Sequence, residues 1–403
     1  MRTLILAGLF VAMSVCAGAA ERVTVDRLEQ RLAALLARPP EASSLADEAA
    51  IQSDLLQELN EGLGKFGLDA DQATEIDALE LTERLTISTL ARLTSQYKPG
   101  PAVRHALEQL ADRSALLDPP GAELPHQPPP DSDSQRKMVD AAGIYVLRVL
   151  SRLPNFFAIR TTERFDDAPV TVNGSVVVFP TSMQLVGSSG REITFRDGSE
   201  VVDPMKQERV MPRIPDGGLA SSGEFGPEAA IVLSDLAKGT IEFHHWEQMP
   251  AGLAAVYRYA VPKKSSNYQV DSSCGLSVSF HDTPGYHGSL AIDPVSGAIF
   301  RLTLEADSKK DDPITHVASV IDYGPVVIGG RRYICPLRSL AFMVEDANAC
   351  VRHAPKEKMM RPVTMLNRTS FSDYHRLGST ARLVVEPSEA PSSAPPAQNP
   401  QGP

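Results

Sequence analysis

The chain has 403 residues, enough for two folded units, and 42% of them are hydrophobic, which provides for a sizeable core. Its formal net charge is -11 at pH 7, and acidic and basic residues are mixed along its length. This balance argues against a nucleic-acid partner, because no basic stripe is present that would neutralise a phosphate backbone.

The N-terminus has the features of an export signal. Arg2 precedes an apolar run that is too short to span a bilayer, and small residues follow it. We therefore expect residues 1–20 to be a signal peptide and the mature protein to reside in the periplasm or to be secreted. Lipoprotein anchoring through Cys16 is not expected, because Val15 stands where lipid-modifying processing requires a small residue. No other apolar run approaches the ~20 residues that cross a membrane, so no transmembrane span is expected.

Residues 21–117 have a helical pattern. Thr24 is expected to cap the first helix and Thr82 to open a later one. Apolar residues recur every three to four positions, which predicts three to four short amphipathic helices. The four apolar stripes are Val25, Leu28, Leu32, Leu35 and Leu36; Ile51, Leu55, Leu59 and Leu63; Leu85, Leu90 and Leu93; and Val103, Leu107 and Leu110.

Two proline-rich stretches divide or end the chain. Residues 118–134, with Pro119, Pro120 and Pro128 to Pro130, predict an extended linker rather than packed structure. Residues 385–403 consist largely of Pro, Ser, Ala and Gln and predict a disordered tail.

Residues 135–384 predict a helix followed by an antiparallel sheet. After Pro154 the apolar period changes to two, in short β-rich runs separated by turn residues. The clearest hairpin covers residues 285–306, and its turn ends at Gly297, where a positive φ is expected. A further helix is predicted from Gly226 to Leu236. The fold class is therefore expected to be α+β.

Seven stretches of this half share a more specific pattern: Leu153–Thr162, Ser222–Pro227, His245–Glu247, Tyr257–Pro262, Gly285–Gly297, Val327–Ser339 and Phe371–His375. With them the chain resembles exported bacterial proteins whose C-terminal part is similar to the periplasmic lipoprotein carrier and the outer-membrane lipoprotein-sorting proteins, a LolA-like fold. The resemblance extends over about residues 23–383. It implies a strongly curved antiparallel sheet, an open half-barrel whose concave face is covered by helices and holds an acyl chain, and it assigns no catalytic residues.

The leading hypothesis is a non-enzymatic protein that binds a lipid, a lipoprotein acyl chain or another apolar ligand in the half-barrel. A glycine-rich approach would allow the helix at 226–236 to move as a lid, and a fixed, packed helix is the alternative. Core packing is likewise the alternative for the residues predicted to line the cavity, which are Ile231, Leu233, Phe243, Trp246, Tyr257 and Leu290. A second hypothesis is a protein-interaction module in envelope assembly or stress sensing, with an envelope protein as partner of the N-terminal helices.

Catalytic, metal and cofactor sites are not expected. The chain lacks Gly-x-Ser-x-Gly, His-Glu-x-x-His and Walker-type motifs. His244 and His245 are predicted not to bind one metal, because neighbouring strand residues point to opposite faces. A hydrolase would require His281, His287 or Glu247 to converge with a nucleophile.

Three cysteines remain after cleavage of the signal peptide: Cys274, Cys335 and Cys350. Export permits one disulfide and one free thiol, and the sequence leaves the three pairings open. A buried free thiol is the alternative at each position.

Overall fold

The computed structural model describes residues 20–37, 67–148, 153–172, 176–178, 180, 182–201, 219, 222–274, 278–309, 312–346 and 361–378. Residues 1–19 of the predicted signal peptide, the helix predicted around Ile51 to Leu63, Cys350 and the predicted tail lie outside the described residues. The predicted boundaries at 20, 117, 134 and 384 stay predictions. Within the described part of the chain, no helix is both long and apolar enough to cross a membrane.

The described residues contain six α-helices. They are α1 (Val25–Leu36), α2 (described over 67–77), α3 (Ile87–Tyr97), α4 (Pro101–Arg113), α5 (Ser132–Arg148) and α6 (Pro227–Asp235). Thr24 caps α1 as predicted, because its hydroxyl accepts a hydrogen bond from the Arg27 amide at 3.3 Å. The prediction for Thr82 is wrong. Thr86 caps α3 by accepting from the Thr89 amide at 3.1 Å.

Thr82 has a different role because a short strand pair precedes it. Strands β1 (Glu21–Val23) and β2 (Leu79–Leu81) are parallel, and the Thr82 amide donates to the Val23 carbonyl at 3.0 Å. Each strand has three residues, too few to show a period in the sequence. The apolar stripes of the helices and this strand pair meet in one core, whose fully buried members include Leu28, Leu32, Ile76, Leu93 and Leu107.

The second half is built on one ten-stranded sheet, and all its neighbouring strands are antiparallel. Its strands are β3 (Phe156–Asp166), β6 (Gln184–Arg196), β7 (Ser199–Val201), β8 (Thr240–Met249), β9 (Gly252–Val261), β12 (Tyr286–Ile292), β13 (Ile299–Ala306), β14 (Ile314–Ile328), β15 (Arg331–Glu345) and β16 (Val363–Arg376). Two small antiparallel pairs stand apart from it: β4 (Val170–Val172) with β5 (Val176–Val178), and β10 (Val270–Cys274) with β11 (Val278–Asp282).

The strand order is β7-β6-β3-β16-β15-β14-β13-β12-β9-β8. The last described strand, β16, lies between β3 and β15, so it joins the early part of the sheet to the later part. The predicted α+β class and antiparallel sheet are confirmed. The sheet is neither closed nor strongly curled, which differs from the predicted half-barrel. Residue alternation predicts which strands exist, but curvature depends on bulges and on what packs against the sheet.

Helices α5 and α6 cover one face of this sheet, which we call the inner face. The core between these helices and the sheet contains fully buried large side chains from four strands: Phe156, Phe195, Tyr257, Tyr286 and Leu290. Burying each of these contributes about 1.5–3 kcal/mol. The opposite face, which we call the outer face, contacts the helical region through α4 and the residues that flank it.

The 285–306 hairpin is confirmed. Tyr286 pairs with Ala306 and Leu290 with Leu302. Gly297 has φ +75°, as its place in the turn requires.

The segment predicted as an extended linker, 118–134, is packed at several points. Pro119 and Pro120 are buried. The indole Nε1–H of Trp246 donates to the Pro128 carbonyl at 2.9 Å. Proline lacks a backbone donor, so an extended proline-rich chain can lie on a folded surface without losing hydrogen bonds. Composition indicated the extended backbone, whereas the packing depends on residues more than a hundred positions away.

Candidate functional site

Helix α6 forms one wall of a cavity on the inner face. Pro227 occupies its first turn, and Gly226 precedes it with φ +126°, a backbone conformation that disfavours other residues. Ala229 and Val232 are buried in the core and anchor the helix to the sheet. Ile231 remains partly accessible and lines the cavity.

This cavity has a volume of about 630 Å³, within the roughly 300–1,000 Å³ of small-molecule sites. Strands β3, β6, β14 and β15 form its floor, and the turn before α6 and residues 267–269 form its sides. Its apolar lining includes Phe195, Leu219, Phe225, Pro227, Ile231, Tyr268, Val317 and Ala341.

Charged side chains stand at the edge of this apolar lining. The Arg160 guanidinium donates to Glu224 Oε1 at 2.5 Å, and both side chains are almost fully buried. Arg160 and Arg191 also lie 3.7 and 3.5 Å from the Glu200 carboxylate. An amphiphilic ligand would therefore meet a network of paired arginines and carboxylates beside an apolar surface.

Among the carboxyl groups of the cavity, Glu228 has the pKa that is shifted furthest from its ordinary value. Burial raises its pKa to about 7, the nearby Glu224 adds to the rise, and the hydrogen bond from the Ser319 hydroxyl opposes it. Near neutral pH this carboxyl group therefore changes charge inside the cavity.

A second, polar cleft lies on the outer face, where the chain leaves the helical region. Its volume is about 290 Å³, and an adjoining cavity of about 420 Å³ shares Arg84, Glu247 and Arg301 with it. Its polar lining comprises Arg84, Asp118, His245, Glu247, Arg258, His287, Ser289, Arg301, Thr303 and Glu305.

Two buried arginines bind the helical region to this cleft. Arg84 donates to Glu247 at 2.5 Å, and Arg301 pairs with Asp322 and donates to the Ala115 carbonyl at 2.7 Å. Burial alone would raise the pKa of Glu247. The hydrogen bond from His245 and the Arg84 guanidinium outweigh burial and hold that pKa at about 2.

His287 is held between two carboxylates at the rim of the same cleft. Its Nε2 lies 2.9 Å from Glu305 and its Nδ1 3.0 Å from Asp307. The hydrogen bond to Glu305 does most to raise the pKa of His287 to about 9, and Asp307 adds to the rise against partial desolvation. The imidazole is therefore protonated at neutral pH, and neither ring nitrogen is a base.

His244 and His245 lie closer together than the sequence predicts. The pairing of β8 with β9 shifts between Phe243 and His245, so His244 is the extra residue of a β-bulge. The two rings are 4.7 Å apart, and each offers a nitrogen near an Asp118 oxygen. The sequence argument against a shared metal assumed an unbroken alternation of faces, and the bulge removes that premise.

The six predicted cavity residues do not line one space. Tyr257 and Leu290 are buried in the inner core, and Leu233, Phe243 and Trp246 pack against it. Phe243 contacts both Trp246 and Tyr257 edge to face, at 5.5 and 5.8 Å. Of the six, Ile231 lines the cavity beside α6.

Two of the three residues that a hydrolase would require lie in the same cleft, and the third does not. Glu247 and His287 line the same cleft, whereas His281 lies on the separate strand β11, paired with Asp271.

Of the three cysteines, the structure describes the side chain of Cys335. Cys335 is a buried free thiol, and burial raises its pKa to about 12. Cys335 forms no disulfide in this structure. The Cys274 side chain and Cys350 lie outside the described residues, so their pairing stays a prediction.

Sequence reasoning singled out His245, Glu247 and His287 of the cleft but missed the other polar residues of both spaces. Arg160, Glu228, Ser319 and Arg301 each lie in a strand or helix whose neighbours read as core. The one available signal was a charged residue inside an otherwise apolar run, as at Arg160 and Arg301.

No family model matches this chain, and no curated protein matches it. Among solved structures, the chain is similar to the LolA superfamily protein NE2245 from Nitrosomonas europaea. The sequence identity is 12% and the TM-score 0.23, over 59% of this chain and 91% of that protein. A similarity this weak establishes neither a shared fold nor a shared function.

Proposed function

We propose that this protein is an exported, non-catalytic binding protein for an amphiphile, such as a lipid or a lipoprotein acyl chain. The observation that carries the proposal is the cavity of about 630 Å³ between α6 and the inner face of the sheet. Part of its lining is apolar, including Phe195, Ile231 and Val317, and burying an acyl chain against that part contributes about 0.8 kcal/mol per methylene.

The charges at the edge of the cavity indicate how the ligand is oriented. Arg160 and Arg191 share the Glu200 carboxylate, and Ile231 and Phe225 lie on the apolar side. A polar or anionic head group would contact the arginines while the chain lies beneath α6. The wall provided by α6 is anchored through its buried face, so we expect the ligand to enter beside the helix rather than by its complete displacement.

The test is ligand binding by the purified full chain. Organic extraction and mass spectrometry should reveal a co-purified lipid, and a fluorescent fatty acid should bind in a titration. The Ile231→Trp variant fills the cavity and should weaken that binding at least about tenfold, or about 1.4 kcal/mol. Val295→Trp is the matched control, because Val295 is 91% exposed in a turn away from the cavity.

Equal fatty-acid affinity in the Ile231→Trp variant and the parent would reject this site. Export is tested separately by N-terminal sequencing of the mature protein, which should begin at Ala20 or Glu21.

A further inference from the structure

We propose that Asp118, His244 and His245 form a binding site for a transition-metal ion of the Zn²⁺ class. One ligand atom from each of the three residues lies within 4.8 Å of the others. Two imidazoles with one carboxylate are a donor set that Zn²⁺ prefers, and a water would complete a tetrahedral site. The inference does not depend on the amphiphile cavity, which lies on the other face of the sheet.

The spacing of one ligand pair already fits a bound ion. A tetrahedral ion with bonds of about 2.0–2.1 Å keeps its ligand atoms about 3.3 Å apart. His244 Nε2 and Asp118 Oδ2 are separated by 3.3 Å. The widest separation in the group is at most 4.8 Å, so side-chain rotations need to bring those two atoms closer by up to about 1.5 Å. His244 is 33% exposed and Asp118 50%, so both side chains have room to rotate.

The bulge in β8 is what brings the two imidazoles to one side. In a regular strand His244 and His245 would point to opposite faces, and a shared ion would be out of reach. The register shift between Phe243 and His245 removes that alternation. Bulges of this kind often re-aim a side chain beside a functional site.

A second layer of contacts orients His245. Its Nε2 lies 3.4 Å from Glu247 Oε2, and Arg84 holds the same carboxylate through Oε1. If Nε2 carries the proton that Glu247 accepts, the lone pair is on Nδ1, which then ligates the ion. Carboxylates that hold the outer nitrogen of a ligating histidine in this way are usual in zinc sites.

Arg258 is expected to limit the affinity of the site for Zn²⁺. Its guanidinium contacts Asp118 Oδ2, so a positive charge stands next to the ion. Asp118 Oδ2 is also the oxygen that lies 3.3 Å from His244 Nε2, so the guanidinium both competes with the ion for Oδ2 and repels it, and affinity is lowered. Arg258→Gln should therefore bind Zn²⁺ more tightly than the parent, which a purely adventitious surface site elsewhere would not show.

The ligands come from two parts of the fold. Asp118 ends the helical region, and the histidines belong to edge strand β8. A bound ion would therefore connect the helical region to the sheet, and Zn²⁺ should raise the melting temperature because it binds the folded chain alone.

The experiment uses untagged full-length protein treated with a chelator and then dialysed. Calorimetric titration with Zn²⁺ should give one ion per chain at this site, and Co²⁺ should give the visible absorption of a tetrahedral complex. Trp246, the only tryptophan of the chain, follows His245 directly and should report Co²⁺ binding by quenching. Ca²⁺ should give no signal, because it requires more oxygen ligands than the site offers.

His244→Ala and Asp118→Asn should each weaken Zn²⁺ binding at least about tenfold and abolish the Co²⁺ spectrum. His281→Ala is the matched control: this exposed histidine also contacts one carboxylate, Asp271, and its loss should leave affinity unchanged. The unliganded variants should melt within a few degrees of the parent. Absence of Zn²⁺ binding to the parent, or unchanged affinity in His244→Ala, would overturn the proposal.

Discussion

Glu228 shows how one buried carboxyl group links the cavity to pH. The side chain is 8% exposed, and its charged form is disfavoured by burial and by the neighbouring Glu224. Arg160 pairs with Glu224 rather than with Glu228, and the Ser319 hydroxyl is the hydrogen-bond partner of Glu228. The folded chain therefore retains the Glu228 proton up to a pH of about 7.

This retained proton predicts a fall in stability with rising pH. Its pKa is about 7 in the folded chain against an ordinary value of 4.5, so the folded state binds more protons between these pH values and the free energy of unfolding decreases across them. The stabilisation that comes from the protonated Glu228 is fully present below about pH 4.5 and is lost above about pH 7. Glu228→Gln stays neutral, so the difference in unfolding free energy between variant and parent should grow by on the order of 3 kcal/mol from pH 4.5 to pH 8.

Urea unfolding at a series of pH values measures that difference. Glu242→Gln, on the exposed part of β8, should follow the parent at every pH. Parallel profiles for Glu228→Gln and the parent would show that Glu228 ionises like a solvated carboxyl group.

At the scale of elements, the β12–β13 turn is packed against helix α5. The Gly297 amide donates to the Asp293 carbonyl at 3.0 Å, which closes the turn. A β-carbon on Gly297 would lie 2.5 Å from the carbonyl carbon and oxygen of Ala141 in α5. Glycine is therefore required here twice, for its positive φ and for the close approach of two backbones.

The Gly297→Ala variant separates these two requirements when it is compared with Gly330→Ala. Gly330 has φ +81° in the β14–β15 turn, but its added β-carbon would meet no atom within 4 Å. Gly330→Ala should cost about 1–2 kcal/mol from backbone strain. Gly297→Ala should cost about 1–3 kcal/mol more, because α5 must move. Denaturant unfolding measures both, and equal losses would mean that the turn does not pack on α5.

At the scale of the whole molecule, the helical region is joined to the sheet by buried charges. Asp112 in α4 is fully buried and pairs with Arg338 and with Arg368, whose Nε donates to it at 2.7 Å. Burial lowers the pKa of Arg338 to about 10. The helices that were a candidate docking surface for an envelope protein thus direct charged residues of α4 to the sheet of their own chain.

Removing Asp112 should destabilise the protein strongly. The Asp112→Ala variant leaves Arg338 without its carboxylate, and we expect a loss of about 3 kcal/mol. This is the low end for broken buried pairs, since Glu108 and Glu163 remain 3.4 and 3.3 Å from Arg368. Glu108→Ala is the control and should cost under about 1 kcal/mol, as for partly exposed ion pairs. Similar unfolding free energies for the two variants would indicate that the helical region does not depend on this contact.

Sequence patterns predicted the elements that repeat over many residues. The stripe of α1, the cap at Thr24 and the 285–306 hairpin were confirmed, because propensity and alternation are properties of neighbouring residues. Elements that lack a repeat were missed: the three-residue strands β1 and β2, and the bulge at His244. The predicted cavity residues were apolar side chains, and core packing accounts for most of them equally well.

The sequence by itself determined the α+β class, the antiparallel pairing and the positions of most helices in the described part of the chain. Only the tertiary structure decided which faces these elements present to each other. It placed Arg84 on Glu247 across 163 residues, turned His244 toward Asp118, and left a cavity beneath α6. The physical reason is that local propensity acts over a few residues, whereas burial, ion pairing and cavity shape arise from contacts between segments distant in the chain.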